Sequence, residues 1–454
     1  MTTELSNVTI PDFGLPESRP VIPGETYAAR CDALVAGADC DWVVVYSDRE
    51  HQANIAFLTG FEPRFEEALL LLNRDGRRII VTGNECVPYA AISGLPGVEV
   101  ELAQSLSLMG QDRTEAPKLT EVLSGLGMAS GQTIGIAGWK YLEEVEYDDA
   151  PSFFVPHHLV ATLTKVAGDA GLLSDVTPVL MHETKGLRAV VDADEIAWLE
   201  FGSARASAAV WRVVTNAKPG DTEHEAASNM GYAGEQMACH FMLSTNGGSG
   251  PIIGLSSPSG KVIEKGDGIT TCVGLWGGIS ARGGLMADGD DTFLAKCKGY
   301  FEALLTWYET AEIGVDGAVI YDAVEKKLAE ADLEPALNPG HLLSHDEWMN
   351  TPVRRKNSGK IASGMPFQVD IIPVPMLDGQ TLNCEDAIVF ADADLRAEIE
   401  KRHPEVYARM MARRAFIADV IGIELSPSIL PLSSTPLCLA PFWLKSSEIL
   451  VRKA

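Results

Sequence analysis

The feature that most constrains this chain is an alternation in its first third. Short apolar, β-branched runs occur at Trp42–Tyr46, Ala68–Leu72, Arg78–Val81, Val98–Leu102 and Thr133–Ala137. Between them lie segments of helical pattern such as Tyr27–Ala36 and Lys118–Leu126. Strand-length runs alternating with helical ones predict an α/β domain, in which helices cover the faces of a sheet.

The pattern changes after Glu183–Leu187, which reads as a domain connection. The acids of Asp192-Ala-Asp-Glu195 suit a helix start, and the helical run Ile196–Thr215 follows. Lys218–Asp221 is a turn, and Thr222 with Glu225 forms a capping box for the next helix. Further on, strands are expected at Gly268–Val273 and Phe367–Ile372, and helices at Thr292–Glu312 and Asp322–Ala331. A last helix begins near Pro404 and stops at Gly422. The apolar tail Leu439–Val451 is expected to add a strand or a subunit contact. The chain has 454 residues, comfortable for two domains, here placed at 1–180 and 185–454.

Charge excludes some partners. The formal net charge is -27, so neither nucleic acid nor an anionic membrane is an expected partner. No apolar run approaches the roughly 18 residues that span a bilayer. The N-terminal residues lack the basic start and apolar core of a signal peptide, so none is expected. The 8 cysteines are scattered without CxxC spacing, which points to reduced thiols and a cytoplasmic location.

Two stretches carry a family resemblance. Asp41–Glu50 together with Asn54-Ile-Ala-Phe-Leu-Thr-Gly-Phe61 resembles the N-terminal domain of creatinases and prolidase-type peptidases. The order of elements after Glu183 resembles the pita-bread domain of the same creatinase, aminopeptidase P and prolidase family. The resemblance implies a creatinase-like α/β domain followed by an α+β pita-bread domain with a C-terminal extension. It also implies a homodimer.

Metallopeptidases of that family hold two divalent ions through two Asp, one His and two Glu. Matched residue by residue, the first Asp position, after Gly266-Asp267, falls on Cys272. The second, in the hairpin Gly277–Gly284, falls on Arg282, while Asp288, Asp290 and Asp291 come too late and read as a solvated turn. His341 in Asn338-Pro-Gly-His341 fits the His position. Asp370 stands at the first Glu position, and Glu385 in Asn383-Cys-Glu385-Asp386 at the second. A permanent guanidinium in the site would repel a second ion, so the expectation is no cofactor, with a single divalent metal on His341, Asp370 and Glu385 as the alternative. The segment Pro251–Pro258, where creatinase carries a catalytic His, has none.

The functional reading is a hydrolase acting on a C–N bond of a small carboxylated amide, amidine or peptide-like substrate without a two-metal centre. His341 would move the proton, with Asp370, Glu385 and the nearby His345 as its catalytic partners. Asp346 and Glu347, just beyond His345, are further candidate acids. Arg64, Arg282, Cys272 and Trp276 would contact substrate, Arg64 by pairing with a carboxylate at the other subunit's site. Two alternatives stay open: a mononuclear metal-dependent hydrolase or lyase, and a non-catalytic pita-bread binding protein.

Overall fold

The computed structural model describes residues 2–146, 152–247, 250–356 and 358–453. The chain forms two compact units, one of Ile22–Ala189 and one that joins the segment up to Val21 to Val190–Ala454.

Strand β1 (Thr2–Asn7) belongs to the second unit. The first unit is built on β2 (Trp42–Ser47), β3 (Ala68–Asn73), β4 (Arg78–Thr82), β5 (Glu99–Leu102), β6 (Ile134–Ala137) and β7 (Leu173–Asp175). Their order is β5-β4-β3-β2-β6-β7. The three middle strands run antiparallel, and β5, β6 and β7 add in parallel. Each expected strand is present. The β2 and β3 runs are buried nearly throughout because helices cover both faces of the sheet.

The motif Asn54–Phe61 has a structural reason. Helix Ala53–Thr59 ends at Gly60, whose φ of 72° favours a residue without Cβ. A Cβ there would also meet the Tyr27 hydroxyl at 2.9 Å. Buried Asn54 donates through Nδ2 to the Gly138 carbonyl at 2.8 Å and accepts from Arg188 Nη1 at 2.8 Å. Two segments distant in sequence are thereby tied to one side chain.

The second unit contains a sheet of β8 (Met242–Asn246), β9 (Gly268–Leu275), β10 (Gly278–Leu285), β12 (His341–Leu342), β13 (Pro366–Val369), β15 (Asn383–Phe390) and β16 (Ile429–Pro431). The order is β12-β13-β15-β10-β9-β8, with β16 pairing β15, and every pair is antiparallel. Short strands β11 (Glu334–Pro335) and β14 (Pro373–Val374) make a separate pair. Helix Ala193–Asn216 packs against β9 and β10 and is capped by Asp192, which accepts from Glu195 N. Helices Asp291–Thr310 and Gly317–Ala329 lie against each other. Asp290 caps the first of these and Asp288 pairs with Lys265, so the late acidic cluster is a turn and a cap.

The tail is a strand, β17 (Glu448–Lys453), and its partner is β1, in the register Thr2↔Lys453 to Asn7↔Glu448. The boundary expected near 180–185 falls at 189/190, but the expected first domain loses its opening segment to the second unit. Pairing between the two chain ends leaves little local signal in either, and so escaped the sequence pattern. Gly422, with φ of 90°, stops the last helix where expected.

Candidate functional site

Gly340 introduces β12 with φ of 108°, and a Cβ there would approach the Gln368 carbonyl at 3.0 Å. The carbonyls on either side are held: Trp307 Nε1 donates to Pro339 O at 2.7 Å, and Thr351 Oγ1 to Gly340 O at 2.7 Å. His341 is thereby fixed at the start of its strand and is fully buried.

The register then decides which residues share its face. His341 stands opposite Gln368, and Gln368 opposite Ala387, two residues after Glu385. Glu385 stands opposite Ala281, and Ala281 opposite Cys272. Opposed residues share a face, and so do residues two apart on one strand. His341, Gln368, Asp370, Glu385, Ala281 and Cys272 therefore line one side of the sheet.

On that side His341, Asp370 and Glu385 each aim one ligand atom into a common space, the three atoms lying within 4.8 Å of one another. His341 Nε2, Asp370 Oδ1 and Glu385 Oε1 are buried and have no hydrogen-bond partner. His341 Nδ1 lies 3.3 Å from the Leu342 carbonyl, which can only accept, so the tautomer with the proton on Nδ1 suits this contact and leaves Nε2 as an acceptor. Three acceptors facing one another without a donor repel unless a proton or a cation lies between them. Burial, and then the charge of Glu385, push the Asp370 carboxyl up to about 8. Burial and then Glu347 push Glu385 well above the usual carboxylate range. A nitrogen and two carboxylate oxygens, preorganised and unsatisfied, fit one divalent ion.

The neighbouring part of the face does not fit a second. Met242, Cys272, Ile279 and Ala281 pack there as an apolar cluster, with Cys239 against it. The position between Cys272 and Glu385 is Ala281, which offers no ligand. The Cys272 thiol is pushed well above its ordinary range by its hydrogen bond to Cys239 and by burial. It is a packed neutral thiol on the site face, held out of the reactive thiolate form.

Arg282 is the larger correction. One residue on from Ala281, it projects from the opposite side of the sheet. There it is buried, with Nη2 donating to Asp386 Oδ1 and Oδ2 at 2.9 Å each and to Thr435 O at 2.8 Å. Its Nη1 donates to Glu385 O and its Nε to Cys438 O, both at 2.8 Å. It therefore neither contacts substrate nor repels an ion beside His341. The hairpin placement was one residue off, and a one-residue slip in a strand reverses the face.

The other candidates, and one neighbour of His341, lie as follows. His345 is buried against Trp198, ring centroids 4.3 Å apart, and makes an edge contact with Trp276 at 5.2 Å. Trp348 stacks on His341 at 4.2 Å. Arg64, in the first unit, adopts φ of 54°, pairs with Glu62 at 3.0 Å and lies over the Tyr89 ring. Sequence reasoning passed over Ala281 and Gln368. Gln368 Nε2 donates to Ile279 O at 2.9 Å, while its Oε1 has no partner.

The chain thus combines an α/β unit with a second unit whose antiparallel sheet carries a His–Asp–Glu cluster on one face. Solved structures agree. The prolidase of Thermococcus sibiricus matches with a TM-score of 0.64 at 15% identity, over 82% of this chain and 95% of that one. The X-Pro aminopeptidase of Thermotoga maritima MSB8 matches at 0.61 and 17%, over 80% and 95%. A putative aminopeptidase P of Bacillus anthracis matches at 0.58 and 13%, over 86% and 99%. At such identities the likeness establishes the fold, which is the two-domain pita-bread fold that the sequence resemblance implied. No protein-family model and no curated protein matches the sequence. Among the described residues no helix is long and apolar enough to cross a membrane.

Proposed function

We propose that this chain is a hydrolase of a C–N bond in a small amide, amidine or peptide-like substrate, working with one divalent ion on His341, Asp370 and Glu385. The observation that carries this reading is the convergence of three buried, unpartnered ligand atoms within 4.8 Å. The main ground for a metal-free site was Arg282, and Arg282 faces away. The likeness to prolidase and X-Pro aminopeptidase structures supports the hydrolase class.

When bound, a divalent ion supplies Lewis acidity toward a carbonyl or amidine and lowers the pKa of a water. Asp370 and Glu385 would give up their protons to hold the ion, with His341 Nε2 as the third donor. The unpartnered Gln368 Oε1 on the same face can accept a substrate N–H. Assay of the purified protein against a panel of small amides and Xaa-Pro dipeptides, with and without Mn²⁺ or Zn²⁺, tests the reading. Turnover that needs metal and disappears in His341→Ala supports it; metal-independent turnover contradicts it.

The reading includes a homodimer in which Arg64 takes the substrate carboxylate at the partner's site. Half of its side chain is open to solvent and its salt bridge is local, so the guanidinium is available for that role. Light scattering at micromolar concentration should give twice the chain mass, and a monomer would contradict it.

A further inference from the structure

We propose that Glu347 is a fourth donor to the ion, which completes a site of one imidazole and three carboxylates. This rests on the one-ion reading above and adds a residue outside the five-ligand set that the family resemblance implies.

Glu347 Oε1 lies 3.5 Å from His341 Nε2, and the same Nε2 lies 3.7 Å from Glu385 Oε1. Glu347 thus stands next to His341 Nε2, outside the trio of ligand atoms that converge within 4.8 Å, and a rotation of its side chain would bring it to the ion. The His341, Asp370 and Glu385 side chains are buried, whereas that of Glu347 is 35% exposed. It stands at the mouth of the site, with the other three donors behind it.

The segment that carries it is not free to wander. Leu342 N donates to Asn350 O at 2.7 Å and Met349 N to Leu342 O at 3.1 Å, so residues 343–349 form a loop closed at its base. Within the loop Trp348 stacks on the His341 ring, interplanar angle 19°. The stack anchors the residue next to Glu347 on the ligand imidazole itself. On the far side of the trio the face is filled by the apolar Met242–Cys272–Ile279–Ala281 cluster, which offers no carboxylate.

Three carboxylates and one nitrogen form an oxygen-rich set, suited to a mid-row divalent ion such as Mn²⁺ and unsuited to a thiophilic one. Glu347 is also the one of the four with access to solvent.

Calorimetric titration of chelator-treated protein with Mn²⁺, backed by the visible spectrum of the Co²⁺ form, tests this. Wild-type protein should bind one ion per chain. Glu347→Gln should still bind one ion, at least about 10–100-fold more weakly, with altered Co²⁺ bands, and Glu347→Asp should recover part of the loss. A third-exposed side chain on a closed loop is a mild substitution, and an unchanged melting temperature without metal verifies the fold. Wild-type affinity and an unchanged Co²⁺ spectrum in Glu347→Gln would overturn the proposal and leave Glu347 as an ion-pair partner of His341. If wild-type protein bound no ion, the one-ion reading would fall and this proposal with it.

Discussion

Arg282 and Asp386 form a buried pair on the side of the sheet away from His341, with one guanidinium nitrogen 2.9 Å from each carboxylate oxygen. The pair sits directly behind Glu385, because Asp386 follows Glu385 on β15 and Arg282 follows Ala281 on β10. One face of these two strands carries Glu385 and the apolar Ala281, and the other a charge pair that locks the strands together.

Breaking that pair should cost stability and spare the site. Arg282→Met leaves Asp386 buried and uncompensated, a loss of about 3–5 kcal/mol. Chemical denaturation should read this loss, while the fraction that remains folded binds metal as before. Loss of metal binding with undiminished stability would put Arg282 back in the site.

Cys272 should be inert. Its thiol is buried, hydrogen-bonded to Cys239 and held neutral. Iodoacetamide at neutral pH, followed by peptide mass mapping, should find it unmodified in the folded protein. Rapid alkylation of Cys272 would contradict the packed-thiol description.

The metal-free protein should carry a pH signature. Asp370 titrates at about 8 when folded and at about 3.9 when unfolded. The folded form therefore holds the proton more tightly, and the resulting stability is complete at low pH and lost as pH rises through about 8. Chelator-treated protein should lose stability over this window more steeply than Asp370→Asn, and added Mn²⁺ should offset the loss most at the upper end. Equal pH slopes for the two proteins would contradict the arrangement.

Much of this was legible in the sequence. The strands of the first unit carry their own signal in apolar runs such as Val43-Val44-Val45. Asn54 and Gly60 mark a helix whose partners the motif implied. His341, Asp370 and Glu385 were each placed by a local motif, and they do converge. The hairpin failed, because the alternation in Gly277–Gly284 puts Ile279 and Ala281 on one face and Ser280 and Arg282 on the other without showing which face meets the site. Only the pairing Ala281↔Glu385 determines that. Glu347 stood among candidate acids, but its 3.5 Å approach to His341 depends on a loop closure that sequence does not display.

Metal stoichiometry tests the central claim most directly. Elemental analysis of protein purified without chelator, and of apo protein reloaded with Mn²⁺ and desalted, should give one divalent ion per chain, falling to none in His341→Ala. Two ions per chain would contradict the account, because the apolar cluster around Cys272 and Ala281 would then have to hold a ligand set. None in the wild-type protein would equally contradict it.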